Sequence, residues 1–210
     1  MAIEAEIRAI CARARAASRL VGPLPREKKD HALLAIAAGV RTHRESILEA
    51  NRQDLEGARA RGTKGALLDR LELDAARVEA VAKALEEIAA LPDPVGETIS
   101  KVTRPNGLRV TRARAPLGVI AIVYEARPNV TAEASALCLK AGNAVVLRGG
   151  SEAKHSNAAL GAVISEALEA SGLPRDAVQL VPFTDHDAVR ILVQQSDTID
   201  LAIPRGGEAL

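Results

Sequence analysis

Aromatic side chains are almost missing from this chain. Among 210 residues only Tyr124 and Phe183 are aromatic, and tryptophan is absent. Proteins that grip single strands stack bases on aromatic platforms, so that class is disfavoured, and any adenine pocket would need aliphatic walls. An excess of one charge is lacking too: 28 Lys and Arg stand against 27 Asp and Glu, for a formal net charge of +1. No field of one sign draws the whole molecule toward nucleic acid or anionic lipid. Cysteine is limited to Cys11 and Cys138, too few for a disulfide framework, and a cytoplasmic, reducing compartment is expected. The longest apolar runs, residues 32–40 and 117–124, fall short of the ~20 residues a membrane span needs. Glu4 and Glu6, close behind Met1, do not suit a secretory leader. The histidines His31, His43, His155 and His186 show no metal-ligand spacing, and no metal is expected.

What is present falls into three regions. Residues 1–98 read as helices. Ile3, Ile7, Ile10, Ala14 and Ala17 form one stripe, spaced at three and four. A second helix should begin near Arg26 and bury Leu33, Leu34, Ile36 and Ala37. A third should cover residues 42–61 with Ile47, Leu48 and Leu55 inward and Gly62 at its end, where a left-handed cap belongs. Asp74 is placed to cap a fourth, whose Val78, Val81, Leu85 and Ile88 share a face. Residues 99–115 then favour extended structure, broken by Pro105-Asn106-Gly107, a turn sequence that predicts a hairpin arm.

Residues 116–210 alternate strand and helix. Strands are expected at 119–124, 144–148, 178–181 and 199–203, with helices near 130–141, 156–170 and 187–195, and Gly142 and Gly172 as C-caps. This alternation predicts an α/β fold with right-handed crossovers and a parallel, Rossmann-like sheet. Open sheets of that kind bind ligands outside the carboxyl ends of their strands. The usual G-x-G-x-x-G after the first strand is missing; Tyr124-Glu125-Ala126-Arg127-Pro128-Asn129 stands there instead, which argues against a standard Rossmann dehydrogenase. Glycines follow later strands, as Arg148-Gly149-Gly150-Ser151 and Arg205-Gly206-Gly207. Each reads either as a solvated turn or as a backbone cradle beside a cation for phosphate. Asn129 reads as a helix cap or as an amide that stabilises an oxyanion. Arg127 is a surface charge or a clamp for a carboxylate or phosphate. Cys138, toward the end of its helix between Leu137 and Leu139, and Cys11 read as packing thiols. Arg104, Arg109, Arg112 and Arg114 of the arm read as a solvated or subunit-contacting face rather than a nucleic-acid stripe.

Residues 123–131 (VYEARPNVT) and 140–153 (KAGNAVVLRGGSEA), with Ala50-Asn51, Asp54-Leu55, Leu68-Asp69-Arg70-Leu71, Arg104-Pro105-Asn106-Gly107, Ile199-Asp200 and Pro204-Arg205-Gly206-Gly207, closely resemble the gamma-glutamyl phosphate reductases (glutamate-5-semialdehyde dehydrogenases) of the aldehyde dehydrogenase superfamily. The resemblance covers nearly the whole chain but only about the first half of a typical family member. It implies reduction of L-glutamate 5-phosphate by NADPH to L-glutamate 5-semialdehyde and phosphate in proline biosynthesis, through a cysteine thioester. By motif, Asn129 is the oxyanion-stabilising asparagine and Arg127 a substrate contact. Arg148, Gly149, Gly150, Ser151 and Glu152 hold the adenosine side of the cofactor, with Arg148 suited to a 2′-phosphate. Arg205, Gly206 and Gly207 hold its phosphate or nicotinamide side. A homo-oligomer is expected of the full-length enzyme. The family's nucleophilic cysteine lies downstream of the Pro204–Gly207 motif, so the catalytic domain is expected to be absent and the 210-residue chain inactive alone. With Met1 leading straight into the match, a monofunctional enzyme is expected rather than a bifunctional synthase. The alternative is a non-catalytic NADP-binding or subunit-interaction protein derived from that enzyme.

Overall fold

The structure, a computed structural model, describes residues 2–206. Five helices come first: α1 (Ala2–Val21), α2 (Arg26–Thr42), α3 (Arg44–Ala60), the short α4 (Ala66–Leu71) and α5 (Ala75–Ala90). The α1 stripe is as the spacing predicts, with Ile7, Ile10, Ala14 and Ala17 all buried. Gly62 follows α3 with φ +82°, and Asp74 caps α5 by accepting from the Arg77 backbone N–H. Leu34 corrects the reading of α2: it is 49% exposed. The buried stripe of that helix runs Leu33, Ile36, Ala37, Val40, and residue 34 falls beside it, not on it. α4 is a helix that the sequence pattern does not show, because its six residues are too few for a period.

The hairpin arm pairs β1 (Thr98–Thr103) with β2 (Arg109–Ala113), antiparallel, and every residue of both strands is exposed. Its turn has Gly107 at φ +83°, the left-handed geometry that glycine adopts without a Cβ clash.

Then β3 (Val119–Tyr124), α6 (Pro128–Lys140), β4 (Ala144–Arg148), α7 (Lys154–Ala170), β5 (Val178–Leu180), α8 (His186–Val193) and β6 (Leu201–Arg205) complete the described chain. The strands form one parallel sheet in the order β5-β4-β3-β6. All of β3 and β4 is buried, as parallel strands covered on both faces require. Alternate residues divide between two cores. Ile120, Ile122, Tyr124, Val145 and Leu147 pack with α2, α5, α6 and α7. Val119, Ala121, Val123, Ala144 and Val146 pack with Ile7, Ile10 and Cys11 of α1 and Ala188 and Leu192 of α8. One helix of the N-terminal region therefore serves as a cover of the sheet. Each large aliphatic side chain so buried contributes roughly 1.5–3 kcal/mol.

The last strand lies two residues later than predicted. Ile199 is buried against α1 and α8, and the Asp200 carboxylate turns inward to accept from the Val119 N–H at 2.7 Å and to pair with Arg15 at 2.8 Å. Those contacts delay the strand to Leu201, and Pro204 is tolerated because β6 lies at the edge of the described sheet.

Candidate functional site

β3, β4 and β6 end side by side, with Val123 level with Arg148 and Tyr124 level with Arg205. The loops that follow enclose a cavity of about 420 Å³ lined by Arg127, Arg148, Gly150, Ser151 and Glu152, with Tyr124, Glu125 and Thr184. Thr63, Leu67 and Arg70 close its other side. A neighbouring cavity of about 380 Å³ is lined by Arg70, Glu125, Arg127, Val130, Arg205 and Gly206. The two glycine loops therefore lie at one edge of the sheet, on either side of β3. Gly207 lies outside the described residues.

Arg148 is not a solvated strand-end charge. It is 6% exposed, and its Nη2 donates to the Thr184 carbonyl and, at 3.4 Å, to that of Asp185. Its Nε is buried without a partner. Burial lowers the guanidinium pKa, against the opposing carboxylates of Glu152 and Asp185. A cation thus sits in the cavity wall with one donor unmet.

The glycines beside it are there for space. A Cβ on Gly149 would collide with the Asn157 amide and come 3.0 Å from the Tyr124 ring. One on Gly150 would lie 3.1 Å from the Ala126 N and 2.9 Å from a Glu152 oxygen. Behind Gly149 the Tyr124 hydroxyl sits 2.7 Å from Thr131 Oγ1, which donates to Asn157 Oδ1 at 2.9 Å. With the threonine proton committed, the tyrosine O–H is the donor of the first bond. Burial pushes the Tyr124 pKa up to about 12. This chain of hydroxyl and amide ties β3, α6 and α7 together beneath the cavity floor.

Asn129 differs from its capping reading. The helix starts at Pro128, Arg127 occupies the cap position without a side-chain bond, and Asn129 lies inside the first turn. Its Nδ2 donates to Glu133 Oε1 at 3.0 Å, one turn along α6. It lines neither cavity. Neither cysteine lines them either, and both are buried. Burial pushes the Cys138 thiol up to about 12 and raises that of Cys11. Among the described residues, no group of His, Cys, Asp and Glu could hold a metal ion, and no helix is long and apolar enough to cross a membrane.

Residue-by-residue reading missed the supports. The Asp54 carboxylate, 4% exposed, accepts from the backbone N–H groups of His155 at 3.0 Å and Ser156 at 2.7 Å. Asn51 donates to the Leu71 carbonyl and Ser156 Oγ and accepts from the Leu73 N–H. Both lie in motifs that carry the family resemblance, but nothing local says that a polar residue on α3 is buried against α7. Tyr124 was readable as a strand residue and, like Arg70, as part of a motif, but neither as a wall of the cavity.

The aldehyde dehydrogenase family model matches residues 1–203. In sequence, the chain is 55% identical over 213 residues to the gamma-glutamyl phosphate reductase of Sorangium cellulosum, covering 99% of this chain and 50% of that protein. It is 51% identical to the protein of that name in Moorella thermoacetica, across 100% of this chain and 50% of the relative. The solved gamma-glutamyl phosphate reductase of Thermotoga maritima superposes with a TM-score of 0.96 at 41% identity, over 98% of this chain and 50% of that one. A probable aldehyde dehydrogenase of Listeria monocytogenes, 19% identical, shares the fold with a TM-score of 0.76, over 99% of this chain and 43% of that one. The chain thus spans about half the length of the curated relatives it matches. With a parallel sheet, strand-end loops and a family match along almost its whole length, the chain belongs to the aldehyde dehydrogenase family.

Proposed function

We propose that this chain supplies the cofactor-binding part of an NADPH-dependent reductase that converts L-glutamate 5-phosphate to L-glutamate 5-semialdehyde and phosphate, in proline biosynthesis. The observation that carries the reading is the cavity at the carboxyl edge of the sheet, where the Arg127 loop faces the Arg148-to-Glu152 loop. Its residues suit a dinucleotide: Arg148 has a buried, unpartnered Nε, and Gly149 and Gly150 keep the backbone clear of Cβ atoms. Arg148, Gly149, Gly150, Ser151 and Glu152 would hold the adenosine side, and Arg205, Gly206 and Gly207 the phosphate or nicotinamide side. When bound, NADPH supplies the hydride.

The chain's own groups do the rest by position and charge. Arg127 clamps an anionic group of the substrate. Asn129 offers an amide N–H to the oxygen that gains charge at the acyl carbon, with Glu133 orienting that amide. The thiolate that forms the thioester is neither Cys11 nor Cys138, since both are buried, raised in pKa and outside the cavities. The 210-residue chain alone therefore has no reductase activity. The setting is a cytoplasmic homo-oligomer.

The test is phosphate-dependent reduction of NADP⁺ by glutamate semialdehyde. A full-length reductase carrying this segment should show it and the isolated chain should not. Turnover indifferent to phosphate, or activity in the isolated chain, would overturn the reading. In the same protein Arg148→Ala should weaken NADPH binding by about tenfold or more and NADH binding far less. An equal loss for both would remove the 2′-phosphate role.

A further inference from the structure

The motif Leu68-Asp69-Arg70-Leu71 has no part in the chemistry so far, yet the fold brings it to the site. Leu68 and Leu71 of α4 pack against Leu55, Ala58, Ala126 and Ala153. Residues three and four apart share a helix side, and Leu67, Arg70 and Leu71 all line the larger cavity. Arg70 lines the smaller one too, together with Arg127 and Arg205. Its helix is pinned: buried Asn51 holds the Leu71 carbonyl and the Leu73 N–H, each at 2.8 Å.

The charges around Arg70 are arranged to leave it free. Asp69, next to it, is taken by Arg77 at 2.6 Å, and Arg77 also donates to the carbonyls of Asp69 and Glu72. Among the described residues the side chains of Arg70, Arg127 and Arg205 have no hydrogen bond or ion pair. Glu125 is the single carboxylate lining the smaller cavity, beside Gly206. Three guanidinium groups from three separate elements thus converge on one concave space against one carboxylate. Guanidinium forks match the oxygens of phosphate in pairs.

We infer that Arg70 completes, with Arg127 and with Arg205 at its cofactor side, the site that holds the phosphoryl group of the acyl substrate. The inference rests on the reductase reading and assigns a specificity-determining residue to the phosphoryl group of its substrate. When a thiolate attacks the acyl carbon, a C–S bond forms, the C–O bond to the phosphate breaks, and phosphate leaves with the electron pair. The guanidinium groups stabilise the charge on that leaving group, and in the reverse direction they hold inorganic phosphate for attack on the thioester. The cofactor also carries phosphates, so the experiment separates the two sources.

In a full-length reductase carrying this segment, the reverse reaction is followed with inorganic phosphate as the varied substrate. Arg70→Ala should raise KM for phosphate roughly ten- to a hundredfold, the loss of one charge-assisted contact, and leave KM for NADP⁺ within about twofold. Arg70→Lys, which keeps the charge and loses the fork, should recover part of the loss. Circular dichroism and the melting temperature of both variants should match the parent, because the exposed Arg70 side chain holds nothing among the described residues. A phosphate KM unchanged in Arg70→Ala would overturn the inference, and a loss that falls on NADP⁺ would assign the site to the cofactor and overturn it as stated. A parent enzyme that reduces NADP⁺ without phosphate would sink the reductase reading itself, whatever Arg70 does.

Discussion

The Asp54 carboxylate accepts two bonds from Ser156, from its N–H and from its hydroxyl, both at 2.7 Å. Asp54 belongs to α3 and Ser156 to the first turn of α7, so a buried carboxylate from the helical region caps the helix that follows the Arg148-to-Glu152 loop. The pairing is favourable twice: the carboxylate satisfies orphan N–H groups and sits at the positive end of the helix dipole.

Removing that cap should be costly. Asp54→Ala leaves donors buried without partners and is expected to lose about 2–4 kcal/mol of stability. Asp54→Asn, which keeps an acceptor, should lose less. Urea denaturation checks both, and a change under about 0.5 kcal/mol in Asp54→Ala would show that water replaces the carboxylate.

Gly149→Ala probes the close approach beneath the cavity. The new methyl must displace the Asn157 amide or the Tyr124 ring, so the Tyr124–Thr131–Asn157 chain should break at about 1–3 kcal/mol of overpacking cost. With one tyrosine and no tryptophan in the chain, tyrosine fluorescence reports on Tyr124 alone. An unchanged spectrum and an unchanged unfolding midpoint would contradict the crowding.

Alkaline pH should expose the buried hydroxyl and thiol. Tyr124 and Cys138 are pushed up to about 12 by burial, from ordinary values of 10.0 and 9.0. The folded state holds protons that the unfolded chain releases. Their stabilising contribution is therefore complete below pH 9 and drains away as pH climbs toward 12. Tyrosinate absorbance should titrate near 12 in the native protein and near 10 once unfolded. At pH 8 the raised Cys138 thiol stays protonated and buried, so iodoacetamide should leave it unlabelled until urea is added; rapid native labelling would contradict its burial.

The arm offers a test of assembly. Val102 and Val110 face each other across the hairpin, 50% and 44% exposed, with Ile99 and Leu108 also open. On the proposed homo-oligomer, Val102→Lys and Val110→Lys together should lower the mass of the full-length protein in sedimentation while leaving the melting temperature of this chain within about 2 °C. An unchanged mass would place the subunit contacts elsewhere.

Much of this was legible along the chain because its physical causes are local. A 3.6-residue period marks α1, α2, α3 and α5, a buried apolar run marks β3 and β4, and Gly62, Gly107, Gly142 and Gly172 stand where the backbone turns left-handed. Those signals need only a residue and its near neighbours, and from them the α/β class and the strand-end loops follow. The family resemblance also lay in contiguous motifs.

What the tertiary structure decided is which distant residues share a space. α1 covers one sheet face although the other four N-terminal helices and the hairpin arm lie between Val21 and Val119 in sequence. Arg148 is a buried cation because the Thr184 and Asp185 carbonyls lie over it. Asp54 is a helix cap and Arg70 a wall of the site only once α3 and α4 are folded against the carboxyl edge of the sheet. Sequence determines pattern along the chain; contact between residues a hundred positions apart depends on how the layers pack, because burial of apolar faces has no direction of its own and it is the packed geometry that selects which polar groups meet.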